Sequence, residues 1–392
     1  MDRPLLNRRL AEFGTTIFAE MSALAVRTGA INLGQGFPDA DGPEEVREAA
    51  VRALRDGRGN QYPPGPGIPE LRTAIAAHQQ RFYGHLGLSP DPDTEVLVTA
   101  GATEAIAASL LALLEPGDEV IALEPYYDSY AACIAMAGGT RVPVTLRPVP
   151  ETGTYSLDLD ELRDAVTDRT RLILLNTPHN PTGTVLTRDE LAEVARLACE
   201  RDLLVITDEV YEHLVFDGEH LPLASFPGMR ERTVTISSAG KTFAFTGWKV
   251  GWVTAAPALI SAVRSAKQFL TYVSAGPFQY AIAEALALPD SYYAGLRDDL
   301  RAKRDVLAAG LTAAGFATFR PSGTYFITTD IRPLGHDDGF AFCRALPERI
   351  GVVAIPNAVF YDHKDQGAPY VRFAFCKSLD ILQEAATRLK RL

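Results

Sequence analysis

Short apolar runs recur along this chain, each closed by a polar loop and followed by a stretch with helical spacing. Residues 95–99 (EVLVT) lead into Gly101-Ala102-Thr103-Glu104 and a helical pattern through Leu114. Residues 119–123 (EVIAL) lead into Glu124-Pro125-Tyr126-Tyr127, with a second helical stretch behind them. Residues 171–175 (RLILL) end at Asn176-Thr177-Pro178-His179-Asn180-Pro181-Thr182-Gly183, after which Thr187 and Glu190 have the spacing of a helix capping box. Residues 203–207 (LLVIT) stop on Asp208-Glu209-Val210-Tyr211, and residues 233–236 (TVTI) on Ser237-Ser238-Ala239-Gly240-Lys241. Runs that are apolar at every position predict strands buried on both faces of a parallel sheet. The expected class is therefore α/β, with a mostly parallel sheet. Polar residues gather just past the carboxyl end of each strand, where open α/β sheets hold ligands. Five loops thus converge on one crevice.

From about Pro289 the pattern changes to one long amphipathic helix (292–314) and strand-like pieces at 324–328 and 370–375. Two domains are expected: a large one over 45–288, and a smaller α+β one joining residues 1–44 to 289–392.

Composition narrows the function classes. Apolar residues make up 47% of the 392 positions and charged residues 22%, the balance of a folded globular chain. A formal charge of −11 argues against binding to nucleic acid or to anionic lipid. Cys133, Cys199, Cys343 and Cys376 form no CxxC pair, and the histidines and acids show no metal-ligand spacing, so no metal is expected. Widely separated cysteines, no apolar run long enough for a bilayer and no signal-like N-terminus together lead to the expectation of a reduced, cytoplasmic setting.

Lys241 is the first residue whose context points to chemistry. A lone loop lysine is ordinarily a solvated charge, but this one follows a buried strand in a run of small residues that permits close approach of a ligand. Ser238 lies one turn before it, and Lys249 stands in Thr246-Gly247-Trp248-Lys249-Val250-Gly251-Trp252. Asp208 closes an apolar strand, and a buried carboxylate needs a partner to stay ionised. That partner is a structural cation or amide, or the protonated ring nitrogen of a cofactor. Tyr211 is a core tyrosine or a donor to the same cofactor. Gly101-Ala102-Thr103 opens a helix directly after a strand, an arrangement suited to phosphate, although the chain has neither GxxxxGK[ST] nor GxGxxG after a strand. Arg372, within Val371-Arg372-Phe373-Ala374-Phe375, is either structurally paired or a fork for a carboxylate. His179, Trp248 and Trp252 read as packing residues.

Together these segments resemble the class I/II aminotransferases of pyridoxal 5′-phosphate (PLP) fold type I, over essentially the whole chain. Four stretches carry the resemblance: Ser238-Ala239-Gly240-Lys241-Thr242-Phe243, Thr246–Trp252, Asn176–Gly183 and Asp208–Tyr211. The resemblance implies that Lys241 links covalently to PLP and moves the proton, that Asp208 holds the ring nitrogen, and that Asn180 and Tyr211 hold the ring oxygen. It further implies Tyr127 on the ring face, and Ala102, Thr103, Ser238 and Lys249 around the phosphate. Arg372, Asn180 and the backbone of Gly36 would receive the substrate carboxylate. Tyr62, in Asn60-Gln61-Tyr62-Pro63-Pro64-Gly65, would reach the partner's phosphate in a homodimer. LGQGFPD and QYPPGPG resemble the kynurenine, glutamine–phenylpyruvate, methionine and N-succinyldiaminopimelate aminotransferases. The implied reaction moves an amino group between an L-amino acid of glutamine, methionine, aromatic or kynurenine type and a 2-oxo acid, in ping-pong fashion. N-succinyl-diaminopimelate as substrate and cysteine-conjugate β-lyase chemistry are the alternatives. Arg27 and Arg320 are among the candidates for a second carboxylate receptor.

Overall fold

The computed structural model describes residues 5–14 and 16–392. Its strands, in chain order, are β1 (Ile31–Asn32), β2 (Val96–Thr99), β3 (Glu119–Glu124), β4 (Thr140–Val149), β5 (Thr154–Leu157), β6 (Thr170–Asn176) and β7 (Leu204–Asp208). They continue with β8 (Thr233–Ser238), β9 (Gly251–Thr254), β10 (Ala317–Thr318), β11 (Phe326–Asp330), β12 (Val352–Val353), β13 (Ile355–Pro356) and β14 (Tyr370–Ala374). Eight of them form one sheet in the order β2-β9-β8-β7-β6-β3-β4-β5.

The continuous apolar runs have a direct physical cause. Successive side chains of a strand point to opposite faces, and here both faces are covered. Val120, Ala122, Leu172, Leu174 and Ile206 pack with Ala105, Ile106 and Leu110 of the helix Gly101–Leu113. Ile121, Leu123, Ile173, Leu175 and Val205 pack with Leu191, Val194 and Ala198 of the helix Arg188–Glu200. That second helix begins with the expected capping box: Thr187 Oγ1 accepts from Glu190 N, and Glu190 Oε2 accepts from Thr187 N at 2.7 Å.

The α/β class and the mostly parallel sheet agree with the sequence reading, with particular differences. β9 is an additional strand, antiparallel to both β2 and β8, and β5 runs antiparallel to β4 at the other edge. The expected strand 324–328 begins two residues later, because Thr324 sits at φ 64°, a left-handed conformation that a strand does not accommodate. Lys241 lies in a four-residue helical turn (Ala239–Thr242) rather than a loop.

The long helix Asp290–Ala313 is present close to its expected bounds. β10, β11, β14 and β13 form an antiparallel sheet, and β1 pairs in parallel with β12. Met21, Leu24 and Leu33 share one apolar core with Phe326, Val371, Phe373 and Leu382. Residues near the beginning of the chain are thereby packed among those near its end. Among the described residues no helix is long and apolar enough to cross a membrane.

Candidate active site

Asp208 is the last residue of β7 and is buried. Tyr130 Oη donates to its Oδ2 at 2.6 Å, and Val210 N donates to Oδ1 at 3.3 Å. Burial pushes the carboxyl up to about 6, against the lowering effects of Tyr130, Val210 and the Lys241 charge. Asn176, at the end of the neighbouring β6, donates from Nδ2 to the Asp208 carbonyl at 2.8 Å and accepts from Asn180 N at 2.7 Å. Adjacent strand ends therefore fix Asp208 and Asn180 relative to one another.

Lys241 follows β8. Its Nζ donates to the Gly36 carbonyl at 3.3 Å, an acceptor shared with Tyr325 Oη at 2.6 Å, and lies 5.7 Å from the ring centres of both Tyr211 and Tyr325. Burial, reinforced by the charges of Arg372 and Lys249, lowers its amine to about 8. Tyr211 is buried and meets Tyr325 edge to face at 5.3 Å. Burial raises its phenol, so it stays a proton donor at neutral pH.

Arg372, on β14, is 1% exposed. It donates from Nη1 to Asn180 Oδ1 at 2.7 Å and from Nη2 to the Gly34 carbonyl at 3.0 Å, while its Nε, also buried, has no partner. Its guanidinium carbon lies 4.1 Å from the Phe326 ring centre and 5.0 Å from that of Phe360. Both acceptors are neutral, and no carboxylate lies within ion-pair distance among the described residues. A buried cation held this way is oriented but not neutralised, so of its two sequence readings the geometry favours an anion receptor.

Across the cleft the helix Gly101–Leu113 presents its N-terminus. Gly101 sits at φ 75°, and a Cβ there would stand 3.1 Å from Lys249 Nζ. Gly251, on the adjacent β9, presses against this turn; a Cβ on it would lie 2.6 Å from the Gly101 carbonyl carbon. Ser238 ends β8 beside them. Glu104 accepts from Ala100 N at 2.6 Å, so it braces the turn and leaves the N–H groups of Ala102 and Thr103 without a side-chain cap.

One cavity of about 840 Å³ joins these parts. Gly36, Ala102, Thr103, Tyr127, Asn180, Asp208, Tyr211, Ser238, Lys241, Lys249 and Arg372 all line it. Tyr62 does not: it is 81% exposed and packs edge-on against Tyr272 at 5.5 Å. Neither Arg27 nor Arg320 lines the cavity, and Arg320 pairs instead with Asp217 at 3.3 Å. His179 is buried, with Nδ1 2.7 Å from Thr182 Oγ1, and burial lowers its imidazole to about 3. Trp248 is stacked between Phe245 and Phe278, with ring centres 3.8 and 4.6 Å away, and Trp252 is buried in β9. Sequence reasoning missed Tyr130, Tyr325 and Lys364. The first two lie outside the motifs that carry the resemblance, and only the three-dimensional pairing reveals their partners.

The family model for aminotransferase class I and II matches residues 28–389. The chain belongs to the class I and II aminotransferases. It is similar to a probable N-succinyldiaminopimelate aminotransferase of Mycobacterium tuberculosis, 56% identical over 98% of both chains. It is also similar to the methionine aminotransferase of Escherichia coli, 42% identical over 100% of both. The solved structure of N-succinyldiaminopimelate aminotransferase from Mycobacterium tuberculosis superposes with a TM-score of 0.95 at 57% identity, covering 98% of this chain and 99% of that one. That of the Escherichia coli methionine aminotransferase gives 0.92 at 39% identity, covering 99% and 100%. This aminotransferase is thus a PLP enzyme of fold type I. Its cleft offers what that cofactor asks for: a half-desolvated lysine, a buried carboxyl opposite, and a cationic turn at a helix N-terminus that a Cβ would close.

Proposed function

We propose that this aminotransferase acts on an amino donor bearing a second carboxylate beyond the α-carboxylate, of the N-succinyl-diaminopimelate type, with a 2-oxo acid as acceptor. Lys364 carries this reading. It lines the same cavity as Arg372 and has no ion-pair partner among the described residues. Lys241, Lys249 and Arg372 are taken up by the cofactor and the α-carboxylate, which leaves Lys364 for a distal anion. Glu12, also on the wall, pairs with Arg141 at 3.0 Å. The apolar stretch formed by Phe13, Ile17, Phe18 and Phe340 supports a second reading, a methionine- or kynurenine-type donor. Kinetics with each donor, on the wild type and Lys364→Gln, separate the two. The first reading expects kcat/KM for N-succinyl-diaminopimelate to exceed that for methionine, and to fall about tenfold in the variant with methionine unaffected. A preference for methionine or kynurenine that is indifferent to Lys364 overturns it.

PLP, when bound, supplies an aldehyde carbon that bonds amino groups and a ring that withdraws electrons from the substrate Cα. Lys241 would hold that carbon and would serve as the base for the Cα proton; its low pKa leaves a usable fraction unprotonated near neutrality. Asp208 would hold the proton-bearing ring nitrogen, while Asn180 and Tyr211 would donate to the ring oxygen. Tyr127 would cover the ring face. Ala102 and Thr103 offer backbone N–H groups, with Ser238 and Lys249, to the phosphate. Arg372 grips the α-carboxylate beside Asn180 and the Gly36 backbone. The two half-reactions then share one site in ping-pong order.

The domain bounds 45–288, and 1–44 with 289–392, belong to the same proposal, supported by the shared core of the two chain ends. So does a homodimer in which Tyr62 reaches the partner's site. Its support is an exposed apolar stretch comprising Tyr62, Phe269 (83% exposed), Leu270 and Tyr272. A cytoplasmic location is supported by four cysteines that are all free thiols.

A further inference from the structure

Outside the cavity that holds Asp208 and Lys241 lies a second cluster of polar side chains. His78 comes from the helix Pro69–Tyr83, and Glu212 and His213 follow Tyr211 directly. All three are buried, and one ligand atom from each lies within 4.8 Å of the others. The two Nε2 atoms face each other at 2.9 Å. Ser237 Oγ donates to Glu212 Oε1 at 2.8 Å, whereas Glu212 Oε2 is buried without a partner.

We propose that His78, Glu212 and His213 form a structural site for a divalent transition-metal cation of the zinc class, with two imidazole nitrogens and one carboxylate as ligands and a fourth position for water.

A hydrogen bond between the two imidazoles accounts for their contact but leaves the Glu212 oxygen orphaned, which is costly in a buried site. A cation satisfies all three groups together. Tetrahedral zinc with nitrogen ligands at about 2.0–2.1 Å sets two nitrogens about 3.3 Å apart, so the pair has only a few tenths of an ångström to open. Ser237 is the kind of outer donor that orients a ligating carboxylate. Glu209 lies beside Glu212 and pairs with His220 at 2.7 Å, and its Oε1 and His220 Nδ1 also lack partners. Phe82 and Tyr293 wall the pocket, with ring centres 4.6 Å from that of His213. The imidazole–carboxylate set suits zinc or cobalt better than magnesium or calcium. Bound there, the cation ties the segment that follows Asp208 and Tyr211 to the helix Pro69–Tyr83, and touches none of the reacting atoms.

The test uses the PLP-loaded enzyme, stripped with a chelator and titrated with Co²⁺. Visible d–d absorption of tetrahedral intensity, saturating at one ion per chain and displaced by Zn²⁺, is expected. His213→Asn should abolish it while the cofactor band remains. Absence of the band in the wild type, or its persistence in that variant, overturns the site. Should His213→Asn not fold, the melting temperature of the stripped wild type decides: a rise with Zn²⁺ but not with Mg²⁺ is expected, and no rise overturns the proposal.

Discussion

Replacing Tyr130 by phenylalanine removes one oxygen and leaves a buried ring in place. That ring is 2% exposed and packs edge-on against Tyr127 with centres 5.8 Å apart, so the fold should tolerate the change. What disappears is the 2.6 Å donation to Asp208 Oδ2, the shorter of the two bonds holding that carboxylate. A hydrogen bond to a charged acceptor contributes roughly 1.5–3 kcal/mol, and one pKa unit corresponds to about 1.36 kcal/mol. The Asp208 carboxyl, already pushed up to about 6 by burial, should therefore rise by roughly one to two units in the cofactor-free enzyme. At pH 7 it then holds its own proton for much of the time and must release it to face a protonated ring nitrogen. The expected result is a PLP dissociation constant roughly tenfold higher at pH 7, since about 1.4 kcal/mol is a factor of ten, with the deficit shrinking toward pH 9. The assay is an absorbance titration of apoenzyme with PLP across that range, paired with kcat under saturating cofactor. A dissociation constant within twofold of wild type at every pH would falsify this account of Tyr130. A loss of equal size at all pH values would point to general damage and refute it equally.

Lys241→Ala should abolish turnover and leave PLP bound as the free aldehyde, visible as a shifted absorbance band; unchanged activity would remove the basis for the assignment of Lys241. Gly251→Ala places a methyl 2.6 Å from the Gly101 backbone, so it should weaken PLP binding and lower the melting temperature, whereas Gly247→Ala, with open space around it, should do neither. Between about pH 4 and 6 the folded apoenzyme holds a proton on Asp208 that the unfolded chain has released. This group's stabilising contribution is therefore fully present at the acid end and is lost as pH rises through about 6. Melting temperatures of wild type and Asp208→Asn, measured without cofactor at several pH values, should diverge in that direction, and a constant difference would count against a buried, uncompensated carboxyl.

The strands on which the catalytic loops sit were legible because burial on both faces leaves continuous apolar runs, as at residues 119–123 and 171–175. β9 was not, because its residues follow Lys249 in a segment whose glycines and tryptophans read first as a ligand-binding turn. β4 was hidden by Arg141, Pro143, Arg147 and Pro148, which break the apolar signal in a strand near the sheet edge. The helical turn holding Lys241 spans four residues, too few for any periodicity to register. Tyr130 illustrates the limit for the site. A tyrosine three residues into a helix looks like packing, and its bond to a residue 78 positions away exists only in three dimensions. His78 and His213 are likewise separated by 135 positions, so no spacing rule could have joined them.

The pairing of Ile31 with Val352 governs how the molecule can be made. The first strand leaves the ribosome more than three hundred residues before its neighbour exists, and Gly34, whose carbonyl steadies Arg372, waits just as long. Contacts of such long range form late, after the segments between them have collapsed. The nascent chain can therefore complete its central sheet and the loops around Asp208 and Lys241 first, while the receptor for the substrate's carboxylate is assembled only once residues 352–374 have emerged. Chains stalled before residues 352–374 emerge would carry a folded sheet and a defective substrate site, with the apolar face of the helix Ile17–Thr28 left uncovered as a handle for chaperones.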